Sequence, residues 1–437
     1  MGLGYAANHA AHNNANRREN MFTRHYIGAL VIGATLSGCA GQASTAPQTK
    51  ALPPQSTSTQ ISQAELADFA AWRNDFRRRA LAKGIKPAVF DSAFKDVSLS
   101  PQVIKLDGGQ AEFTRQIWDY LDTATSATRV STGRQKWEKL RPTLKAIESR
   151  YGVDAKVVMS VWGMETNYGS YRGNTSTIEG LATLAFEGRR RTFAEAQLIA
   201  ALQILQAGDV SSEKMRGSWA GAMGHTQFMP TSYLEYAQDF TGDGKRDIWS
   251  EDPTDALAST AAYLARFGWQ QGAPWGVEVS LPDGFDYSTA DQGNLKPVAY
   301  WRSQGITTVN GQTLPDHGEA AILVPAGAHG PAFAIFSNFK VIRRYNNATS
   351  YAMAVGHLGD KLAGGGEFRS PWPRDERALS RAEKEELQRR LTARGFDTRG
   401  TDGVIGPNTI SAIRAYQQSL KQVADGYASA TLLKQLR

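Results

Sequence analysis

The stretch Asp154–Gly169, DAKVVMSVWGMETNYG, decides how the rest of the chain is read. Val158, Val161, Trp162 and Glu165 follow one another at spacings of three and four, so a helix puts them on one face. Asp154 stands where a side chain can cap the first free N–H groups of that helix. Glu165 closes the apolar stripe just before Asn167 and Gly169 break the helix. A carboxyl group placed there loses hydration, which raises its pKa towards neutrality, and a protonated acid at that pH can protonate a glycosidic oxygen. Spacing alone leaves a second reading open, in which Glu165 is a solvated helix end or an ion-pair partner of Arg172.

Outward from this helix, the 437 residues allow two or three folded units with ample length for a core. The composition, 41% hydrophobic and 21% charged, is that of a globular protein, which excludes wholesale disorder. One cysteine excludes an internal disulfide and a Cys-rich zinc site. No apolar run reaches 18 residues, so no mature helix is expected to span a membrane. The formal charge of +7 is too diffuse to imply nucleic acid.

A helical period begins near Ala64, with Leu66, Phe69, Trp72 and Phe76 on one face, and helices dominate to about Phe267. Between about Trp269 and Phe339, short runs rich in Val, Ile, Thr and aromatics predict a small β-rich insertion. Helical character returns at Ser350–Leu362. Gly364-Gly365-Gly366 and Pro371-Trp372-Pro373 then mark a linker before a compact unit at the C-terminus.

The N-terminus reads as an address. Arg24 and His25 precede a ten-residue apolar run, Ile27–Leu36, of signal-peptide length. The run ends in Leu36-Ser37-Gly38-Cys39, which resembles the lipobox of bacterial lipoproteins. That resemblance implies a signal peptide over 1–38, lipidation of Cys39 and, with Ala40 following, an outer-membrane anchor facing the periplasm. Either Met1 or Met21 can be the start. Residues 39–62, with ALPPQSTSTQIS, read as a flexible tether. Removing 1–38 takes away Arg17, Arg18, Arg24 and Glu19 and leaves a net +5, suited to a polyanionic wall polymer.

From Trp118 to Tyr351 the chain resembles the lytic murein transglycosylase B family. The resemblance rests on Trp118, Tyr120, Arg129 and Gly133; Val161–Gly169; Gly180–Leu184 with Arg189-Arg190; and Gly217–Pro230 (GSWAGAMGHTQFMP). Asp255–Ser259 with Tyr263, and Arg344-Tyr345-Asn346 with Tyr351, complete it. It implies a mainly α chain with a lysozyme-like core over 63–363. Glu165 is then the single catalytic acid. Ser218 and Gln227 line the cleft, and Tyr120, Tyr263, Tyr345, Asn346 and Tyr351 shape sugar subsites. Arg189 and Arg190 meet carboxylates of the stem peptides, whereas His225 takes no role.

The implied reaction cuts the MurNAc–β-1,4–GlcNAc bond of peptidoglycan and closes a 1,6-anhydro ring, without a second carboxylate and without a cofactor. A hydrolytic muramidase on the same core, or a non-catalytic wall-binding lipoprotein, is the alternative. Asp239, Thr241, Asp243 and Lys245 (by its carbonyl), with Asp247 at the ninth position, are spaced as in an EF-hand loop. Ser250 stands where that loop has its last Glu, and Asp255 is the acid expected to complete a structural Ca2+ site. After a linker at 364–378, residues 379–437 resemble the peptidoglycan-binding type 1 domain, a small three-helix fold. They do so through Asp402-Gly403-Val404-Ile405-Gly406-Pro407-Asn408-Thr409. Lys421-Gln422-Val423 departs from the usual approach to the last loop.

Overall fold

A computed structural model describes residues 61–108 and 115–437. Cys39, the apolar run before it and most of the tether lie outside the described residues. The first helix, Gln63–Ala82, starts on a reciprocal cap in which Ser62 and Glu65 satisfy each other's backbone N–H. Its Phe69 and Phe76 are buried against Phe90, Phe94 and Phe186, but Leu66, expected on the same face, is 40% exposed. Together with helices Thr177–Glu187 and Arg191–Ala207 these aromatics form one core.

A second core is built round the helix Ala155–Thr166. It is enclosed by helices Ala127–Tyr151, Thr254–Arg266 and Thr349–Leu362, so all its residues except Lys156, Met164 and Glu165 are buried. Burying each large apolar side chain here contributes roughly 1.5–3 kcal/mol. Asp154 does not cap this helix. Its carboxylate instead accepts from the Trp269 indole N–H (2.8 Å) and the Gly272 N–H (3.1 Å), tying the helix start to the chain that leaves for the β-rich section.

That section holds an antiparallel five-stranded sheet. Its strands run in the order Lys296–Pro297, Glu319–Leu323, Ala332–Ile335, Gly276–Ser280, Thr307–Thr308. Apart from the exposed Glu319, Glu319–Leu323 and Ala332–Ile335 are apolar and buried on both faces. The β-rich section ends earlier than its sequence suggests. Residues Ser337–Tyr345 are a helix, because Asn338 turns inward to bond Gln270 and Ala273 while Phe339, Val341 and Ile342 bury the apolar face.

The segment after Leu362 is laid along the main body. Glu278 accepts the N–H groups of Arg369 and Ser370 (2.8 and 2.7 Å), Phe368 stacks on His357, and Arg374 pairs with Asp122. Helices Arg381–Ala393, Pro407–Ser419 and Ala430–Leu436 then pack a separate small core on Leu387, Leu391, Ile413 and Leu433.

Candidate active site

The helix carrying Glu165 is stopped by three successive left-handed residues, Asn167, Tyr168 and Gly169 (φ 49, 57 and 81°). A non-glycine residue in that region costs roughly 1–2 kcal/mol. Tyr168 offsets it by burying its ring edge-on against Trp162, over Gly133 and Gly163, where any Cβ would overlap the phenol. Glu165 is thereby fixed on the last turn.

Its carboxylate Oε1 accepts from the Tyr351 hydroxyl at 2.6 Å. Burial pushes the Glu165 pKa up from 4.5 to about 7, with the Tyr351 bond pulling the other way. Its side chain is ringed by protein atoms, yet the residue keeps a partly exposed surface. The ion-pair alternative is closed. Arg172 is engaged by Glu251 and by the Ser250 carbonyl (2.9 Å), and among the described residues no cation hydrogen-bonds Glu165. A pKa of about 7 lets Glu165 keep its proton well above the usual carboxylate range.

The tyrosines divide into two kinds. Tyr120 keeps a buried hydroxyl without a hydrogen-bond partner, and burial and the nearby Glu165 charge hold its pKa above the usual value. Tyr263 and Tyr345 donate to the backbone carbonyls of Arg344 and Thr226 (both 2.6 Å) and pack edge-on at 5.1 Å, with Phe228 behind them. They are partly buried and bridge the two cores. Asn346 uses its carbonyl on the Ala348 N–H (3.2 Å), which leaves the amide N–H2.

The Gly217–Pro230 block folds into a tight turn. Gly217 packs where a Cβ would overlap the Ala222 carbonyl, and the Ser218 hydroxyl accepts the Ala222 N–H at 3.0 Å. Gln227, at φ 54°, donates to the carbonyls of Gly224 (2.9 Å) and Arg172 (3.1 Å) and keeps its amide oxygen free. Arg189 and Arg190 both grip Asp107. Burial would raise that acid, but the two guanidiniums hold it below its usual range. Their charges are therefore already partnered, and Arg190 also covers the Trp219 ring beside Ser218.

His225, to which the sequence assigns no role, joins three parts of the site. Its Nδ1 accepts from the buried Trp162 indole N–H (3.1 Å), its Nε2 faces the Ser250 carbonyl (2.7 Å), and its own carbonyl accepts from Thr166 (2.6 Å). Because the Trp162 indole can only donate, the ring proton sits on Nε2, where the Arg172 guanidinium also stands at 3.1 Å; burial first, and then the Arg172 charge, lower the ring's pKa and keep it neutral. A buried indole needs an acceptor, so Trp162, three residues before Glu165, was the one signal for it.

Carboxylate oxygens of Asp239, Asp243 and Asp255 lie within 4.8 Å of one another. Asp239 gathers the N–H groups of Gly242, Asp243 and Gly244, while Asp255 takes those of Phe240, Thr241 and Asp247 from beneath. Thr241 bonds Asp239, and Lys245 gives its N–H to Asp243. Asp247, the expected ninth-position oxygen, accepts instead from the Trp249 and Ser250 N–H groups. The remaining oxygen-only set suits a hard cation such as Ca2+.

Residues 68–360 match the transglycosylase SLT domain and residues 380–436 the putative peptidoglycan binding domain. The membrane-bound lytic murein transglycosylase B of Escherichia coli K12 is 34% identical over 241 residues, 54% of this chain and 64% of its own length. The match thus spans a little under two thirds of that relative. SltB3 of Pseudomonas aeruginosa, solved with NAG-anhNAM-pentapeptide, is 52% identical over 84% of this chain and 99% of its own, at a TM-score of 0.82. The E. coli transglycosylase SLT35, solved with calcium, is 29% identical over 67% of this chain and 92% of its own, at a TM-score of 0.59. With the transglycosylase match over most of its length and these relatives, the chain belongs to the lytic murein transglycosylase B family and carries a peptidoglycan-binding domain at its C-terminus.

Proposed function

We propose that the protein is a peptidoglycan lytic transglycosylase in which Glu165 performs both proton transfers. Protonated Glu165 gives its proton to the bridging oxygen of the MurNAc–GlcNAc bond as the C1–O bond breaks. The resulting carboxylate then removes the proton of the MurNAc C6 hydroxyl as that oxygen bonds C1. The 1,6-anhydro ring closes, no water is consumed and Glu165 is protonated again. An intramolecular hydroxyl has a high effective concentration, so no enzymic nucleophile is required. Two-carboxylate glycosidases need a second acid near the bond, whereas the family resemblance gives Glu165 no carboxylate partner. Ser218 and the free Gln227 amide oxygen supply dipoles to the reacting ring, Tyr120, Tyr263, Tyr345, Tyr351 and Asn346 hold the sugars, and no cofactor enters the reaction. Arg189 and Arg190 meet stem-peptide carboxylates only in exchange for Asp107.

The observation that carries this reading is the half-buried carboxyl with a pKa of about 7 and a hydroxyl as its hydrogen-bond partner. Mass spectrometry of peptidoglycan digests tests it. Wild type is expected to release anhydro-muropeptides, one water lighter than reducing ends, and Glu165→Gln to release none. Reducing MurNAc ends would establish the muramidase instead.

The further parts of the reading are anchoring and metal. Cleavage before Cys39 and its acylation place the enzyme on the outer membrane facing the periplasm, since two lipid signals suffice for stable anchoring. The E. coli relative is likewise described as membrane-bound. Loss of labelled-palmitate incorporation in Cys39→Ser is the expected outcome. Asp239, Asp243 and Asp255, with Thr241 and the Lys245 carbonyl, hold a structural Ca2+ that ties the loop to the helix beginning at Thr254. The mature protein is then a tether to residue 62, a catalytic region at 63–363, a linker at 364–378 and a wall-binding domain at 379–437.

A further inference from the structure

Arg172 lies one irregular stretch beyond the helix of Glu165 and ties three neighbours together. Its Nη1 donates to the Ser250 carbonyl (2.9 Å), its Nη2 to the Glu251 carboxylate, and its own carbonyl accepts the side-chain amide of Gln227 (3.1 Å). The Arg172 side chain is 25% exposed, that of Glu251 90%. An ion pair to so open a carboxylate contributes little, so the bond to the Ser250 carbonyl is the firmer anchor. The same carbonyl faces His225 Nε2 (2.7 Å), which joins Arg172 to the histidine that holds Trp162 on the helix of Glu165.

The consequence falls on Gln227. Both acceptors of its side chain, the carbonyls of Gly224 (2.9 Å) and Arg172, require the N–H2 end, so the amide oxygen is turned away from them. The left-handed backbone of Gln227, φ 54°, is unfavourable for a residue with a side chain, and these two bonds offset it. The Gly224 carbonyl comes from the same turn. The other comes from residues 171–174, which belong to no helix or strand. That stretch is held at Tyr171 by an N–H bond to the Thr166 carbonyl (3.1 Å) and at Gly173 by close contact, since a Cβ there would overlap the Gly217 carbonyl. Between those two points the hold is the Arg172 side chain on Ser250.

We propose that Arg172 is a positioning residue: anchored on the Ser250 carbonyl, it fixes the peptide carbonyl that orients the Gln227 amide, and it acts on the reaction through Gln227. The inference rests on the lytic transglycosylase reading above, in which Gln227 supplies a dipole to the reacting ring, and adds to it a residue that needs no contact with the sugar.

Steady-state release of anhydro products from short, peptide-free glycan strands by the full-length protein tests it. Arg172→Met is expected to lower kcat about tenfold with KM within about twofold of wild type, because the interaction it aims is made in the transition state. Arg172→Lys keeps a donor for the Ser250 carbonyl and is expected to recover to within about threefold of wild type. Glu251→Gln leaves that carbonyl in place and is expected to stay within about twofold. In a Gln227→Ala background, Arg172→Met is expected to cost less than about twofold further, since the group it orients is gone. Arg172→Gln is run beside the methionine variant, so that the comparison survives a folding defect peculiar to one substitution. An equal loss from Arg172→Met with and without the Gln227 side chain, a tenfold loss in Glu251→Gln of about the size expected for Arg172→Met, or wild-type rates in Arg172→Met would overturn the proposal. Absence of anhydro products from wild type would count against the enzymatic reading, whereas their release at wild-type rates by Arg172→Met removes the positioning role alone.

Discussion

Replacing Glu165 by Gln should stabilise the protein, and by an amount that grows with pH. In the folded state burial lifts this carboxyl from 4.5 to about 7, so the native form binds a proton that the unfolded chain has released between those values. Stability of the wild type therefore falls as pH rises through that window. The full interval corresponds to roughly 3 kcal/mol, and the partial exposure of the side chain reduces it to about 1–2 kcal/mol. The glutamine amide keeps an oxygen for the Tyr351 hydroxyl and carries no charge, so the variant escapes the penalty. At this chain length about 1 kcal/mol moves the midpoint by roughly 2 °C. Melting curves at pH 4.5 and pH 8 should show Glu165→Gln close to wild type at the lower pH and about 2–4 °C above it at the higher. A difference that stays constant across pH would mean that Glu165 titrates like a solvated acid, and the assignment of the proton donor would fail with it.

Three further outcomes are expected. Tyr351→Phe removes the hydrogen bond that lowers the Glu165 pKa, so the alkaline limb of the rate profile should move upward, with kcat reduced about tenfold. His225→Phe leaves the buried Trp162 N–H unpaired and should cost about 1–3 kcal/mol, measured by urea unfolding, while His225→Asn, whose amide oxygen can take the place of Nδ1, should recover part of it. Millimolar Ca2+ should raise the melting temperature of wild type but not of Asp239→Asn/Asp243→Asn, and EDTA should reverse the rise. An unchanged midpoint with calcium would show that the loop's own hydrogen bonds suffice.

Much of the fold is legible in local pattern. The three- and four-residue spacing of Val158, Val161, Trp162 and Glu165 places the acid on a buried helix, and the Gly-rich blocks mark the turns that need close backbone approach. The β-rich section is visible through its Val, Ile and aromatic runs. Its end is misplaced because Phe339 and Val341 suit a strand as well as a helix, and the inward bonds of Asn338 decide between them. Leu66 shares the period of Phe69 and Phe76, yet nothing packs over it.

What the sequence determined alone is the order of blocks, the identity of the one acid that ends an apolar stripe, and the three-helix unit at the C-terminus. Only the tertiary structure decided that Asp154 serves Trp269, that Arg172 turns to Glu251, that Arg189 and Arg190 grip Asp107, and that His225 ties Trp162 to Ser250. The reason is range. Periodicity and turn chemistry are set within a few residues, whereas the partner of a polar side chain is whichever donor or acceptor packing brings within about 3 Å, often from far along the chain.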